Sequence, residues 1–127
     1  MKTYKDLIVW QKSMQLVTDV YKTTKSYPKE ELFGLVSQMR KSAVSIPSNI
    51  AEGHGRRSIK VLIHFLSISL GSALELETQI IISRNLDYIN DVDFNRLQAL
   101  NEEVIKMLNG LIQKKENEAQ NNKNQSE

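Results

Sequence analysis

The sequence predicts an all-α fold, an up-down-up-down four-helix bundle. Apolar residues recur at helical spacing in four separate segments, and short polar connections separate those segments. The chain has only five glycines and two prolines, too few for the many turns of a β-sandwich. Consecutive helices with short connections pack as antiparallel neighbours, and 127 residues suffice for one core. We therefore expect one bundle over residues 1–115.

The first predicted helix, over residues 7–26, carries two apolar stripes on different sides. Thr3 and Asp6 have the spacing of a capping box ahead of it, and Asp6 by itself is equally placed to cap a later start. Two apolar sides on one helix suggest that it packs against its own chain and against something else. The main stripe consists of Leu7, Trp10, Met14, Val17, Tyr21 and Thr24, and the second of Val9, Leu16 and Val20.

The second predicted helix runs from about Glu31 toward Glu52 and is expected to kink at Pro47. Proline removes one backbone donor and crowds the carbonyl four residues earlier. We expect the hydroxyl of Ser45 or Ser48 to cover the backbone groups that this frees. Gly53 and Gly55 end the helix. Its inward stripe is Leu32, Leu35, Met39, Ala43, Ile46 and Ile50.

The third predicted helix, from about Ser58 to Leu86, is the longest and most apolar. Ser58 is placed to cap its start. Small residues surround Gly71, which costs about 1 kcal/mol of helix propensity and therefore predicts the close approach of a neighbouring helix. One seam is Leu62, Leu66, Ser69, Ala73, Leu76 and Ile80, and the other is Ile59, Ile63, Leu70, Leu74 and Ile81.

The fourth predicted helix, near 92–115, has one apolar face. Residues 116–127 contain no large apolar side chain, so we expect a disordered polar tail there. The inward residues are Leu97, Leu100, Val104, Met107 or Leu108, and Leu111.

Positive charge is concentrated in the middle of the chain, where five cations face one carboxylate, Glu52. The segment "GHGRRSIK" places some of these cations at the start of a helix, whose backbone N–H groups and dipole favour an anion such as phosphate. A solvated basic turn explains the same residues, and the pattern leaves both interpretations open. The candidate nucleic-acid-binding residues are Arg40, Lys41, Arg56, Arg57 and Lys60.

The residue types needed for catalysis or metal binding are missing in the required patterns. The chain has no cysteine, and neither histidine, His54 or His64, completes the Glu-x-x-His pairs of a di-metal bundle. Neither histidine shares a helix face with Ser45 or Ser48. We therefore expect no metal, no cofactor and no enzymatic activity, and interpret Asn49 and Glu52 as partners of backbone groups around the kink.

No export signal or membrane-spanning segment is recognisable. The N-terminal residues lack an apolar stretch followed by a small-residue cleavage site, and no segment approaches 18 uninterrupted apolar residues. We expect a cytoplasmic protein that does not enter a membrane.

Three segments, "VWQKSMQL", "QMRKSAVSIPSNIAEGHGRRS" and "GSALELETQI", resemble the bacterial four-helix-bundle proteins encoded inside intervening sequences of 23S ribosomal RNA genes. The resemblance covers about residues 4–113. Two departures, Leu62 where an aromatic residue is usual and Ser69 where alanine is usual, affect packing positions. The matching residues are Trp10, Gln38, Arg40, Pro47, Asn49, Glu52, Gly53, Arg56, Gly71, Ser72 and Glu75.

This resemblance implies a small cytoplasmic bundle that assembles as a homopentamer and has no established catalytic residues. The chain is similar, more distantly, to the accessory variability determinant of diversity-generating retroelements, a basic pentameric barrel that binds nucleic acid and a reverse transcriptase. Two hypotheses follow. One is an oligomer that binds RNA or DNA through its cations, and the other is an oligomeric scaffold that recruits a partner enzyme such as a reverse transcriptase.

Overall fold

The computed structural model describes residues 2–125, which form four α-helices and no strand. Each helix packs against the two beside it, so that α1, α2, α3 and α4 follow one another around a square. The predicted four-helix bundle is thereby confirmed. The helices are α1 (Ile8–Thr24), α2 (Leu35–His54), α3 (Ile59–Asn85) and α4 (Asp91–Gln125), with 3₁₀ turns at Tyr4–Asp6 and Lys29–Glu31.

Both stripes of α1 pack inside the chain, and part of the main stripe is exposed. Val9, Leu16 and Val20 are buried in the core, whereas Met14 and Tyr21 of the supposed main stripe are about two-fifths exposed. Periodicity identifies an apolar face, but it does not say which neighbour covers that face. The predicted capping box is present, but it caps the 3₁₀ turn ahead of α1.

The start of α2 also differs from the prediction. The helix begins at Leu35, because the chain first forms the 3₁₀ turn at 29–31, where the Tyr88 hydroxyl donates to Glu31 Oε2 over 2.9 Å. Leu32, expected in the core, is 48% exposed, and the next residue, Phe33, is 93% exposed. At the C-terminal end α2 continues through Pro47, whose side chain is buried, to His54.

Helix α3 is the central helix, as predicted, and its first seam is buried throughout. The second seam is partly exposed, with Leu74 and Ile81 exposed by 47% and 44% and Leu70 packed against the core. Among the described residues, α3 is the one helix long and apolar enough to cross a membrane, a criterion that the core helix of a bundle also meets. In this fold it packs against α2 and α4.

Helix α4 extends ten residues beyond its predicted end at Lys115. Residues 116–125, predicted to be a disordered tail, are therefore helical in the structure. Neither glycine nor proline interrupts residues 111–125. Pairs at helical spacing also support the extension. They are Gln113–Asn117, Lys115–Glu118 and Gln120–Asn124. Residues 126 and 127 of the predicted tail lie outside the described residues.

Candidate nucleic-acid interface

The connection between α2 and α3 is short, and hydrogen bonds fix it both at the end of α2 and at the start of α3. The Gly55 N–H donates to the carbonyls of Ala51 and Glu52, each over 3.2 Å, and so closes α2. Gly53 is buried where α2 meets α3, and a Cβ there would lie 2.9 Å from the Cβ of Phe65. Its role is therefore close packing inside the last turn, not only the helix termination that the sequence predicts. Ser58 Oγ accepts from the Val61 N–H over 3.3 Å, which confirms the predicted cap.

Three cations, Arg56, Arg57 and Lys60, project from this connection and the first turn of α3; we call them the basic loop. The Arg56 guanidinium is paired with the Glu52 carboxylate and lies 5.4 Å from the centre of the Phe65 ring. Within residues 2–125, Arg57 and Lys60 are exposed and form neither a hydrogen bond nor an ion pair through their side chains. Their charges are therefore the ones available to an anion from solution.

The other two predicted cations lie elsewhere. Arg40 and Lys41 are on the first half of α2, about 20 Å from the basic loop at 1.5 Å of rise per residue. The five candidate cations therefore lie in two separate regions, because adjacency in sequence becomes distance along a helix. Arg40 Nε donates to Thr24 Oγ1 over 3.1 Å, and its Cζ lies 4.6 Å from the centre of the Tyr21 ring.

A polar network joins α2 to α3 near Pro47. Asn49 Nδ2 donates to the carbonyl and the hydroxyl of Ser45 over 2.8 and 2.9 Å, and Ser72 Oγ donates to the same hydroxyl over 2.8 Å. Asn49 thus serves the backbone as predicted. Ser45 does not take the expected role, because its hydroxyl bonds to these side chains, and Glu52 pairs with Arg56 instead of a backbone group. These contacts give the network a structural role.

Two residues of the predicted motif have other surroundings. Trp10 is half-buried against the core, with its ring 5.5 Å from that of Tyr4 in an edge-to-face arrangement. Gly71 is exposed, and a Cβ built there would meet no atom within 4 Å. The close helix packing predicted at Gly71 is therefore absent within residues 2–125. The small residue that does pack closely is buried Ser69, whose hydroxyl donates to the Ile46 carbonyl over 2.9 Å.

The region near the basic loop also contains His54. Burial lowers the pKa of His54 below its usual range, and the charge of Lys115 acts in the same direction. Its Nε2 is buried and has no hydrogen-bond partner among the described residues. No group of three or more His, Asp or Glu side chains within residues 2–125 is placed to hold a metal ion.

Asn101 is a buried polar residue that the sequence pattern was not used to predict. Asn101 is completely buried on α4 and donates to the Ala73 carbonyl of α3 over 2.9 Å. Its position four residues after Leu97 and three before Val104, on the apolar stripe itself, is the signal that would have identified it. It contributes to packing between the helices and not to the basic loop.

A comparison with protein-family models matches residues 5–110 to the family described as 23S rRNA-intervening sequence protein. The chain belongs to this family. Among solved structures it is similar to a crystal structure of a protein with unknown function from the S23 ribosomal protein family of Bacteroides thetaiotaomicron. The identity is 25% and the TM-score 0.78, over 84% of this chain and 96% of that one. A search of curated proteins finds no match.

As a member of the 23S rRNA-intervening sequence protein family, the chain shares its fold with a solved protein that is described as having unknown function. Its long motif occupies residues 38–58, which span most of α2 and the connection to α3. That segment contains both pairs of predicted cations, Arg40 with Lys41 and Arg56 with Arg57, together with the polar network at Asn49. The two pairs lie toward opposite ends of α2, so the cations that have no partner must be considered separately at each end.

Proposed function

We propose that this family member is a non-enzymatic, homo-oligomeric bundle that acts in the cytoplasm and binds structured RNA or DNA through the basic loop. The observation that carries the proposal is the pair of uncompensated cations, Arg57 and Lys60, beside the N-terminus of α3. Exposed cations attract the phosphate backbone without regard to sequence. The backbone N–H groups at the start of a helix favour the same anion.

Assembly of identical copies would strengthen this surface. Apolar side chains remain exposed on the outer faces of two helices that do not touch one another, with Met14 on α1 and Leu74 and Ile81 on α3. Apolar faces of this kind favour self-association. The family resemblance supports a homopentamer, in which five copies of a modest cationic surface act together on one nucleic acid.

The test is reversal of the two available charges. Arg57→Glu with Lys60→Glu should weaken binding to a short duplex RNA by at least about tenfold, because two attractive phosphate contacts become repulsive. Lys22→Glu with Lys106→Glu makes the same change in net charge at exposed positions away from the basic loop and should retain binding to within about threefold. Circular dichroism checks that both variants keep the wild-type helix content.

Equal binding by the two double variants would contradict the proposal. It would mean that net charge, and not the basic loop, determines the affinity. Light scattering of the nuclease-treated protein tests the assembly: a pentameric mass is expected, and a monomer at all concentrations would exclude it.

A protein-binding scaffold that recruits a partner enzyme such as a reverse transcriptase is the second candidate. The second seam of α3 favours it, since Leu74 and Ile81 offer apolar area beside the exposed carboxylate of Glu75. Pull-down from a native lysate with and without nuclease separates the two functions. Proteins retained after nuclease treatment support the scaffold, whereas loss of every partner supports nucleic-acid binding.

A further inference from the structure

A second cationic region lies at the far end of α2 from the basic loop, in a surface groove with a volume of about 580 Å³. We call it the aromatic groove. One wall is the end of α1, another is the turn after the 3₁₀ segment, and the floor is one face of α2. Its lining consists of Tyr21, Leu32, Phe33, Ser37, Arg40, Lys41, Val44 and Ser45.

The charge of this groove is positive and uncompensated. Arg40 donates to two neutral acceptors, Thr24 Oγ1 over 3.1 Å and the Tyr21 carbonyl over 3.4 Å. A guanidinium has five N–H groups, so donors remain for a ligand. Lys41 also lines a smaller cavity whose lining includes Glu75, but no ion pair joins the two among the described residues. The groove lining itself contains no carboxylate.

The aromatic rings are unusually accessible. Phe33 is 93% exposed and Tyr21 40% exposed, while the Arg40 guanidinium stacks over the Tyr21 ring. The local structure fixes the Phe33 backbone outside any helix, because Glu31 is tied to Tyr88 and α2 starts only at Leu35. Phe33 is therefore held at the surface beside two cations.

We infer that the aromatic groove binds an unpaired nucleotide of single-stranded RNA or DNA, with its base on Phe33 and its phosphate on Arg40 and Lys41. Aromatic side chains interleaved with cations are the combination that single-stranded nucleic acid recognises, because every base offers a flat face and every nucleotide a phosphate. A duplex keeps its bases stacked inside and cannot use Phe33 in this way. The inference rests on the proposed function but assigns a separate site and a separate form of nucleic acid.

The experiment compares two conservative variants at one exposed position, Phe33→Leu and Phe33→Tyr. The probes are a fluorescent oligouridine RNA and a duplex RNA of the same length. Phe33→Leu should weaken oligouridine binding by roughly 5- to 100-fold, the range for loss of one base-stacking contact, whereas Phe33→Tyr should retain it. Both variants should bind the duplex as the wild type does. Light scattering should give the wild-type mass for both.

Three results with Phe33→Leu would overturn the inference: unchanged oligouridine binding, an equal loss on the duplex, or a change of assembly mass that places Phe33 between copies of the chain. Failure of the proposed function is distinguishable. One distinguishing result is that reversal of Arg57 and Lys60 leaves duplex binding intact while Phe33→Leu weakens oligouridine binding. That result would support the aromatic groove as a binding site and exclude the proposed role of the basic loop. If the wild type binds the duplex but not oligouridine, the groove alone is excluded.

Discussion

The basic loop and the aromatic groove carry similar positive charge, but the surroundings of that charge differ. In the basic loop one arginine, Arg56, is neutralised by Glu52, and two other cations are left without partners in the described part of the chain. In the aromatic groove Arg40 is bound to neutral oxygens and Lys41 is exposed beside Phe33. The comparison teaches that what surrounds a cation, more than the number of cations, determines which form of nucleic acid it suits.

The largest expected effect on stability comes from comparing Arg40, whose side chain is hydrogen-bonded, with Arg57, whose side chain has no partner among the described residues. Arg40→Ala removes hydrogen bonds that connect α2 to the end of α1, together with the stacking on Tyr21. We expect the free energy of unfolding to fall by about 1–2 kcal/mol, less than for a buried charged hydrogen bond because the site is partly exposed. Arg57→Ala is the matched control and should change it by less than about 0.5 kcal/mol. Urea denaturation measures the free energy of unfolding of both variants. Equal losses would show that the hydrogen bonds of Arg40 do not stabilise the fold.

The pairing of Arg56 with Glu52 gives a smaller effect, on binding. Glu52→Gln releases the guanidinium for phosphate, and an exposed ion pair of this kind is worth up to about 1 kcal/mol. Affinity for a short duplex should rise by up to about fivefold, while oligouridine binding at the aromatic groove stays constant. Glu102→Gln makes the same charge change at an exposed position on α4. An equal gain in that control would show that net charge explains the result.

The smallest expected effect is a pH dependence of folding stability that arises from His54, near the basic loop. Because burial lowers the folded-state pKa of His54, the unfolded chain binds the proton more readily. The contribution of neutral His54 to stability is therefore fully present above the usual histidine pKa of 6.5, and it is lost as the pH drops below that value. His54→Gln should flatten the curve of stability against pH between neutral pH and pH 5, which urea denaturation at several pH values measures. Identical curves for the wild type and this variant would contradict the assignment.

The bundle itself was predictable because its signal is repeated. The inner seam of α3 places an apolar side chain on the same face at every turn, so a few ambiguous positions do not alter the result. The assignment of stripes on α1 was not predictable, since Met14 and Leu16 are equally apolar and the sequence does not say which faces a neighbour. Residues 116–125 were misjudged because composition argued against packing, whereas pairs along a single helix can extend it without a core.

The candidate interface was predictable in its residue types but not in its arrangement. The clustering of Arg40, Lys41, Arg56 and Arg57 in sequence indicated an anionic partner, but the length of α2 separates them into two regions. The groove depended on Phe33, which the predicted start of the second helix near Glu31 would have placed within that helix. Its exposure follows from a contact distant in sequence, Glu31 with Tyr88, which no local pattern reveals.

The central claim is that the cations of the basic loop contact phosphate, and the salt dependence of binding to a short duplex DNA tests it most directly. Each phosphate contact contributes about −0.9 to the slope of log affinity against log salt concentration. Two available cations, Arg57 and Lys60, therefore predict a slope of about −1.8 or steeper for each bound protomer. A slope that stays flat as the salt concentration rises would contradict the account.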